Sequence, residues 1–171
     1  VTPELARAAA LIARIPDHPQ PGVQFRDISP LLADGQAMRT VTEALIAPFR
    51  GRFDVVAGLE ARGFLLAGYV SALTGAGILP VRKAGKLPRP AASVSYSLEY
   101  GTATIEGPDV LRRGDRVLLV DDILATGGTL QAARALVGEL GADVIGVAVV
   151  LELEELGGRA LSGDVHAVIT D

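Results

Sequence analysis

Apolar residues along this chain recur at two different spacings. Leu5, Ala8, Ala9 and Ile12 fall every three or four positions, which places them on one face of a helix. Thr2-Pro3-Glu4 ahead of them supplies a capping hydroxyl, a proline at the first helical position and an acid in the first turn, so a helix is predicted from Thr2 to about Arg14. Ile15 to Pro30 carries four of the ten prolines together with Gly22 and is expected to be loop or extended chain. A second helix follows Asp34, with Met38, Val41, Leu45 and Phe49 at helical spacing.

From Asp54 onward the pattern becomes short apolar runs alternating with helical stretches. Asp54 to Leu59 reads as a buried strand, Gly63 to Leu73 as a helix with Leu66, Val70 and Leu73 on one face, and Gly77 to Arg82 as another strand. Val117 to Val120 is a third strand, followed by a helix that turns Leu130, Ala133, Leu136, Val137 and Leu140 inward. Val144 to Leu151 and Val165 to Ile169 complete the set. Strands that are apolar at every position need cover on both faces, the situation of a parallel sheet between helices, so the expected fold class is α/β. Ser93 to Ile105 breaks the alternation. It is polar, rich in Ser, Tyr and Thr, and centred on Glu99-Tyr100-Gly101, which predicts a long hairpin or flap outside the sheet. No repeat, low-complexity tract or linker divides the chain, so one domain over residues 1–171 is expected.

Composition narrows the chemistry. The 171 residues carry 16 Lys+Arg against 20 Asp+Glu, a net charge of -4, 49% hydrophobic residues and no cysteine. A chain of this length hides roughly 70% of its unfolded surface, enough for a core without disulfides, and the lack of cysteine removes thiol nucleophiles as well. A mildly acidic balance argues against nucleic acid as a partner, which would require a basic face. The longest apolar run, Val144 to Leu151, is far short of the ~20 residues that span a bilayer, and the N-terminus shows no signal pattern. The expectation is a cytoplasmic protein of small-molecule chemistry with no membrane partner. Among the basic residues, 14 are arginine and two are lysine, and both lysines fall in Arg82-Lys83-Ala84-Gly85-Lys86. For an isolated basic trio a solvated loop is the ordinary reading. His18 and His166 are too far apart to form a helical metal pair. The run Glu152-Leu153-Glu154-Glu155 at a strand end reads as a solvated edge.

The strongest local signal is Val117-Leu118-Leu119-Val120-Asp121-Asp122-Ile123-Leu124-Ala125-Thr126-Gly127-Gly128-Thr129. It is a buried strand that ends in two acids, passes through a glycine-rich turn and opens a helix. In open parallel sheets ligands bind beyond the carboxyl ends of the strands. Glycines let backbone N–H groups approach a phosphate, the threonine hydroxyls add donors, and the helix N-terminus contributes about half a positive charge. Two carboxylates beside such a cradle suit the hydroxyls of a sugar phosphate. Along a straight strand the two acids point to opposite sides, and in the turn both can swing toward the ligand.

This stretch resembles the phosphoribosyl pyrophosphate signature of the type I phosphoribosyltransferases. Four further segments narrow the resemblance to the adenine-using branch of that family: Pro21 to Pro30 is similar to its purine-binding segment, Gly58-Leu59-Glu60-Ala61-Arg62-Gly63-Phe64 to its pyrophosphate loop, and Arg82 to Pro88 with Ser95 to Gly101 to its flexible catalytic loop. The resemblance implies a mostly parallel sheet flanked by helices, a purine-binding segment over residues 1–30 and a flexible catalytic loop over 83–106. It also implies the activity, purine salvage by joining adenine to phosphoribosyl pyrophosphate to give AMP and pyrophosphate with Mg²⁺, and a homodimer.

Site roles follow from the same resemblance. Ala125, Thr126, Gly127, Gly128 and Thr129 hold the 5-phosphate, and Asp121 and Asp122 the ribose hydroxyls. Ala61, Arg62, Arg82, Lys83 and Lys86 meet the pyrophosphate. Main-chain groups near Gln24 and Arg26 read adenine, with Phe25 and Ile123 on its faces, although Phe25 taken alone reads as a core aromatic. Glu99, with Tyr100 beside it, handles the purine proton. Mg²⁺ is carried by substrate oxygens and water, with no direct protein ligand. Where relatives commonly carry Asp and Ser this chain has Glu60 and Ala61, a change that leaves the backbone donors intact, and the resemblance implies a cis peptide between them. In the 6-oxopurine enzymes an aspartate usually stands at the position of Ala125, so its absence favours adenine, and Ala125 together with Ser97-Leu98-Glu99-Tyr100-Gly101 counts against hypoxanthine, guanine, xanthine or orotate. A non-catalytic sensor of phosphoribosyl pyrophosphate or purine is the alternative from another class.

Overall fold

A computed structural model describes residues 2–98 and 101–171. Thr2 Oγ1 accepts the Leu5 N–H at 3.3 Å and opens α1 (Pro3–Ala9), with Pro3 in the first turn. This helix stops well short of Arg14. Ala13–Ile15 is instead a strand, β1, paired antiparallel with β2 (Phe25–Asp27), so the expected helix is corrected at its C-terminal end. The partner strand lies a dozen residues downstream, and it satisfies backbone groups that a single turn of apolar periodicity had assigned to the helix. α2 (Ser29–Ala33) and α3 (Gly35–Ile46) follow, and the Asp34 carboxylate between them accepts the N–H groups of Gln36 and Ala37 at 3.0 and 2.9 Å. A 3₁₀ turn, Ala47–Phe49, ends the helical run.

Contacts sort the chain into two compact units, Val1–Ala44 and Leu45–Asp171. The boundary falls inside α3, where no proline, glycine pair or charge run marks it. The smaller unit buries Ala8, Ile28, Leu31, Ala37 and Val41.

The larger unit alternates strands and helices: β3 (Val55–Leu59), α4 (Arg62–Thr74), β4 (Gly77–Lys83), β5 (Ala92–Leu98), β6 (Gly101–Gly107), β7 (Arg116–Leu124), α5 (Gly128–Glu139), β8 (Asp143–Glu152), α6 (Arg159–Ser162) and β9 (His166–Thr170). Seven strands form one sheet in the order β5-β6-β4-β3-β7-β8-β9. The five strands from β4 to β9 in that order are parallel, and β5 and β6 extend one edge antiparallel. The fold is thus the mostly parallel α/β sheet that the apolar runs predicted.

Two expectations are corrected here. The Ser93–Ile105 segment is a hairpin, but not one outside the sheet: β6 pairs with β4 through Arg82↔Glu106 and Lys83↔Ile105. Val94, Tyr96 and Ile105 pack on the core while the serines and threonines between them face outward, a period-2 pattern diluted by polar residues. The strand expected to end at Val120 runs on to Leu124. Its pairing with β3 ends at Val120, and beyond that point it continues against β8 alone.

Helices cover both faces. α5 packs across β5 to β8 with Ala133, Leu136 and Val137 fully buried, and α4 lies on β3, β4 and β7 with Leu66, Ala67 and Val70 buried. A methyl group on Gly58 would stand 2.5 Å from the Gly63 carbonyl oxygen and 2.8 Å from the Ala67 Cβ, so β3 and α4 approach this closely only because Gly58 has no side chain. Among the described residues no helix is long and apolar enough to cross a membrane.

Candidate active site

β3 and β7 are parallel neighbours, and each runs through a short turn into the N-terminus of a helix: β3 through Glu60-Ala61 into α4, β7 through Ala125-Thr126-Gly127 into α5. Neither helix has a side-chain cap, since Ala61 and Gly127 occupy the capping positions. Both ends therefore leave their first N–H groups, with the partial positive charge of the helix, to be met by ligand or solvent.

Two adjoining cavities open at these termini. The larger, about 380 Å³, is lined by Leu59, Glu60, Ala61, Arg62, Val81, Lys83, Tyr96, Ile105, Asp121, Asp122 and Thr129. The smaller, about 80 Å³, is walled by Ile123, Leu124, Ala125, Thr126, Gly127 and Leu130 and shares Asp121 and Thr129 with the first. A wider cavity of about 510 Å³ lies at the amino ends of β8 and β9, beside Phe49 and His166. Its cations hold main chain: Arg134 donates to the Ser162 and Asp164 carbonyls at 3.1 and 2.8 Å, and Arg52 to the Pro48 carbonyl at 3.2 Å.

The turn around the small cavity is shaped from outside. Gly127 is left-handed at φ 85°, and a methyl group there would run into the Gly158 carbonyl. Gly158 in turn has no room for a Cβ against the Ala125 carbonyl and the Leu124 side chain. Next to it, Arg159 donates Nε and Nη2 to the two oxygens of Glu152 at 2.7 and 2.6 Å. This corrects the reading of the Glu152 run as a solvated edge, because the Glu152 side chain is only 5% exposed and paired. Tyr96 was also missed by the sequence reading. Its hydroxyl accepts from Thr129 Oγ1 at 3.1 Å, and its ring lies beside Gly128, which ties the hairpin to the start of α5.

Asp121 and Asp122 both line the larger cavity, although adjacent strand residues ordinarily face opposite sides. Past Val120 the strand has lost β3 as a neighbour, and both acids border the same cavity. The Asp122 N–H donates to Asp121 Oδ1 at 2.9 Å, and Arg62 Nε stands 2.6 Å from Asp122 Oδ2. Burial, and after it the Asp122 charge, pushes the Asp121 carboxyl well above the usual carboxylate range; the Asp122 N–H and Arg62 pull it partly back.

The cations divide. Arg62 and Lys83 line the larger cavity together with Ala61, whereas Arg82 and Lys86 do not. Those two are held by Glu60: Lys86 Nζ donates to Oε1 at 2.7 Å, and Arg82 Nε lies 3.4 Å from Oε2, which also accepts the Lys83 N–H at 2.9 Å. The Glu60–Ala61 peptide is cis, as the resemblance implied. Bonding to Lys86, and then to the Lys83 N–H, lowers the Glu60 carboxyl below its ordinary value.

Of the residues expected at the purine, Ile123 opens onto the small cavity. Gln24, Phe25 and Arg26 belong to the N-terminal unit, where Phe25 and Arg26 are in β2, Arg26 Nη1 donates to the Gln24 carbonyl at 3.0 Å, and His18 stands edge-on to the Phe25 ring. Glu99 and Tyr100 lie outside the described residues.

Comparison with known proteins gives consistent results. The Phosphoribosyl transferase domain family matches residues 32–165. An adenine phosphoribosyltransferase of Renibacterium salmoninarum is 57% identical over 155 residues, covering 90% of this chain and 85% of the relative. The crystal structure of adenine phosphoribosyltransferase from Rhodothermus marinus superposes with a TM-score of 0.92 at 43% identity, over 98% of both chains. An enzyme of the same name from Giardia lamblia, complexed with 9-deazaadenine, also reaches a TM-score of 0.92, at 38% identity and over 99% of both chains.

Proposed function

The chain belongs to the adenine phosphoribosyltransferase family, and from that premise we propose how its residues divide the work of the reaction. The enzyme transfers the 5-phosphoribosyl group of phosphoribosyl pyrophosphate to adenine, giving AMP and pyrophosphate in purine salvage. The observation that carries the assignment of roles is the pair of uncapped helix N-termini on neighbouring strands, with two carboxylates between them.

In the reaction the anomeric C–O bond breaks, its electron pair leaves with pyrophosphate, and an adenine ring nitrogen forms the new bond to the same carbon. Positive charge builds on the ribose ring, as in glycoside hydrolysis. The small cavity is of a size for one phosphate group. Its backbone N–H groups over Ala125 to Thr129, with the Thr126 and Thr129 hydroxyls, take the 5-phosphate. Asp121 and Asp122 accept the ribose hydroxyls and favour the developing cation. Main-chain N–H groups of Ala61 and Arg62, at the start of α4, and the Lys83 ammonium meet the diphosphate, with Arg82 and Lys86 in reserve.

Magnesium fits as an ion that arrives on the diphosphate. Asp121 and Asp122 present hard oxygen donors to the cavity, while among the described residues no three His, Asp or Glu side chains gather into a metal cage. The two aspartates would face its water shell; when bound, the ion withdraws charge from the leaving group.

For adenine, the N-terminal unit offers the main-chain groups of Gln24 and Arg26 and the Phe25 ring, and the larger unit offers Ile123; Glu99, beside Tyr100, hydrogen-bonds the purine edge and takes part in its proton movement. A homodimer belongs to the same proposal. α4 is apolar nearly all round: Leu66, Ala67 and Val70 are buried, while Phe64, Leu65, Gly68, Tyr69 and Ala72 form the opposite side, Leu65 being 56% exposed. A second copy over that side would sit beside the Ala61-Arg62 turn, and sedimentation velocity reads the outcome. A cytoplasmic location is also proposed, since phosphoribosyl pyrophosphate is multiply charged and does not cross a bilayer unaided.

The test is AMP formation from adenine and phosphoribosyl pyrophosphate with Mg²⁺, run beside hypoxanthine, guanine and orotate and a blank without magnesium. Selective, magnesium-dependent AMP is expected. Phosphoribosyl pyrophosphate binding without product from any base would leave a sensor.

A further inference from the structure

Two of the three basic side chains in the Arg82–Lys86 segment do not line the cavity and instead lie against a single carboxylate of its wall. Glu60 Oε1 accepts Lys86 Nζ at 2.7 Å, and Oε2 accepts the Lys83 N–H at 2.9 Å. Arg82 Nη1 donates to the Lys86 carbonyl at 3.1 Å and closes the cluster, while Arg82 Nε lies 3.4 Å from Glu60 Oε2, buried and without a hydrogen bond. The Glu60 side chain is only 9% exposed and is itself part of the cavity wall, so its charge is fixed where a diphosphate must lie. Lys86 is 51% exposed and follows Gly85, which is left-handed at φ 81°, so its side chain has room to re-aim.

We propose that Glu60 is a positioning residue that competes with the diphosphate for Arg82 and Lys86. It holds both cations beside the cavity, yields them as the diphosphate enters and recaptures them as pyrophosphate departs. The inference rests on the reading of this cavity as the diphosphate site.

The charges set the direction of the effect. Arg82, Lys83 and Lys86 against Glu60 leave this cluster at about +2, and an uncharged residue at position 60 raises it to about +3. The carboxylate stays ionised at neutral pH because Lys86 and the Lys83 N–H lower its proton affinity, so the competing charge is present under working conditions. A site built only to grip would bind pyrophosphate tightly and release it slowly. Glu60 gives the cations somewhere to return to, which weakens binding and speeds release.

The experiment compares the full-length parent with Glu60→Gln and Lys86→Gln. Pyrophosphate binding is measured by calorimetry with magnesium at matched ionic strength, beside kcat and KM for phosphoribosyl pyrophosphate. In Glu60→Gln pyrophosphate is expected to bind about tenfold tighter, with KM and kcat both lowered as release slows. Unchanged or weaker pyrophosphate binding in that variant, or a raised KM, overturns the proposal, since a purely structural Glu60 would misplace the turn and cost affinity. Lys86→Gln alters an exposed turn and stands independently: it is expected to weaken pyrophosphate binding several-fold, and unchanged affinity would mean that Lys86 never leaves Glu60. A parent that binds no pyrophosphate would overturn the functional reading itself. A parent that binds it with an unaltered Glu60→Gln overturns only the competition.

Discussion

Gly127 and Gly158 meet backbone to backbone, 31 positions apart in sequence, and neither has room for a methyl group. The contact fixes the back of the turn that encloses the small cavity. Gly158→Ala, whose Cβ would run into the Ala125 carbonyl, is expected to cost about 1–3 kcal/mol of stability and to raise KM for phosphoribosyl pyrophosphate about tenfold or more by displacing the turn. Gly138→Ala in α5, where a Cβ meets open space, serves as the control and is expected to leave kinetics unchanged. Thermal melts and substrate titrations on both variants decide.

Arg159 holds Glu152 with two short hydrogen bonds, and the pair closes the segment that carries Gly158. Arg159→Ala leaves a buried carboxylate without its main partner, at a cost of about 1–3 kcal/mol. The kinetic effect is expected in KM for phosphoribosyl pyrophosphate and not in KM for adenine. Equal changes in both would mean that the pair does not act through the turn around the small cavity.

Asp121 has its carboxyl raised by burial and by Asp122, so the folded state binds that proton more tightly than the unfolded chain does. The associated stability is fully present below the unfolded carboxylate range and is lost as pH rises through the raised value. Asp121→Asn, which mimics the protonated form, should therefore melt higher than the parent near neutrality, with the difference closing toward about pH 4, where a free carboxyl titrates. Activity should fall about 10²-fold or more through loss of the charge beside the ribose. Melting curves at acid and neutral pH that differ by the same amount would count against the raised proton affinity of Asp121.

Asp54 behaves in the opposite sense. Arg116 donates Nε, Nη2 and its main-chain N–H to the Asp54 carboxylate at 2.9, 2.7 and 3.0 Å, clamping the amino ends of β3 and β7. These bonds lower its pKa to about 2. Stability from this group is present above the unfolded carboxylate range and lost as pH falls through about 2. Asp54→Asn should melt below the parent at pH 7, and the deficit should shrink as both are acidified below about pH 4. A deficit independent of pH would point to packing rather than charge.

Glu99→Gln should lower turnover by about 10²-fold or more while phosphoribosyl pyrophosphate binding changes little. Equal turnover in parent and variant would remove Glu99 from the proposed proton step.

The glycine-rich turn between β7 and α5 was legible because the residues that make it are local. A strand of four apolar residues, two acids and Thr-Gly-Gly-Thr are contiguous, and both the turn and the helix it opens depend on neighbours only a few residues away. The same holds for the parallel core, where Val55 to Leu59 and Val117 to Val120 are apolar without interruption. The hairpin of β5 and β6 was half legible: its alternation was present, but the attachment of β6 to β4 depends on a strand edge that local sequence does not display.

What the sequence determined by itself is the alternation of β3, β4, β7 and β8 with α4 and α5, the glycine-rich turn at the carboxyl end of β7 and the residue types gathered there. Tertiary structure alone decided that Ala13–Ile15 would leave the helix for Phe25–Asp27, that Asp121 and Asp122 would border one cavity, that Gly158 would back the turn, and that Glu60 would pair with Lys86. Periodicity records the face a residue presents to its own element. Close approach and charge pairing between residues tens of positions apart are set by how those elements pack, and packing is a property of the whole sheet.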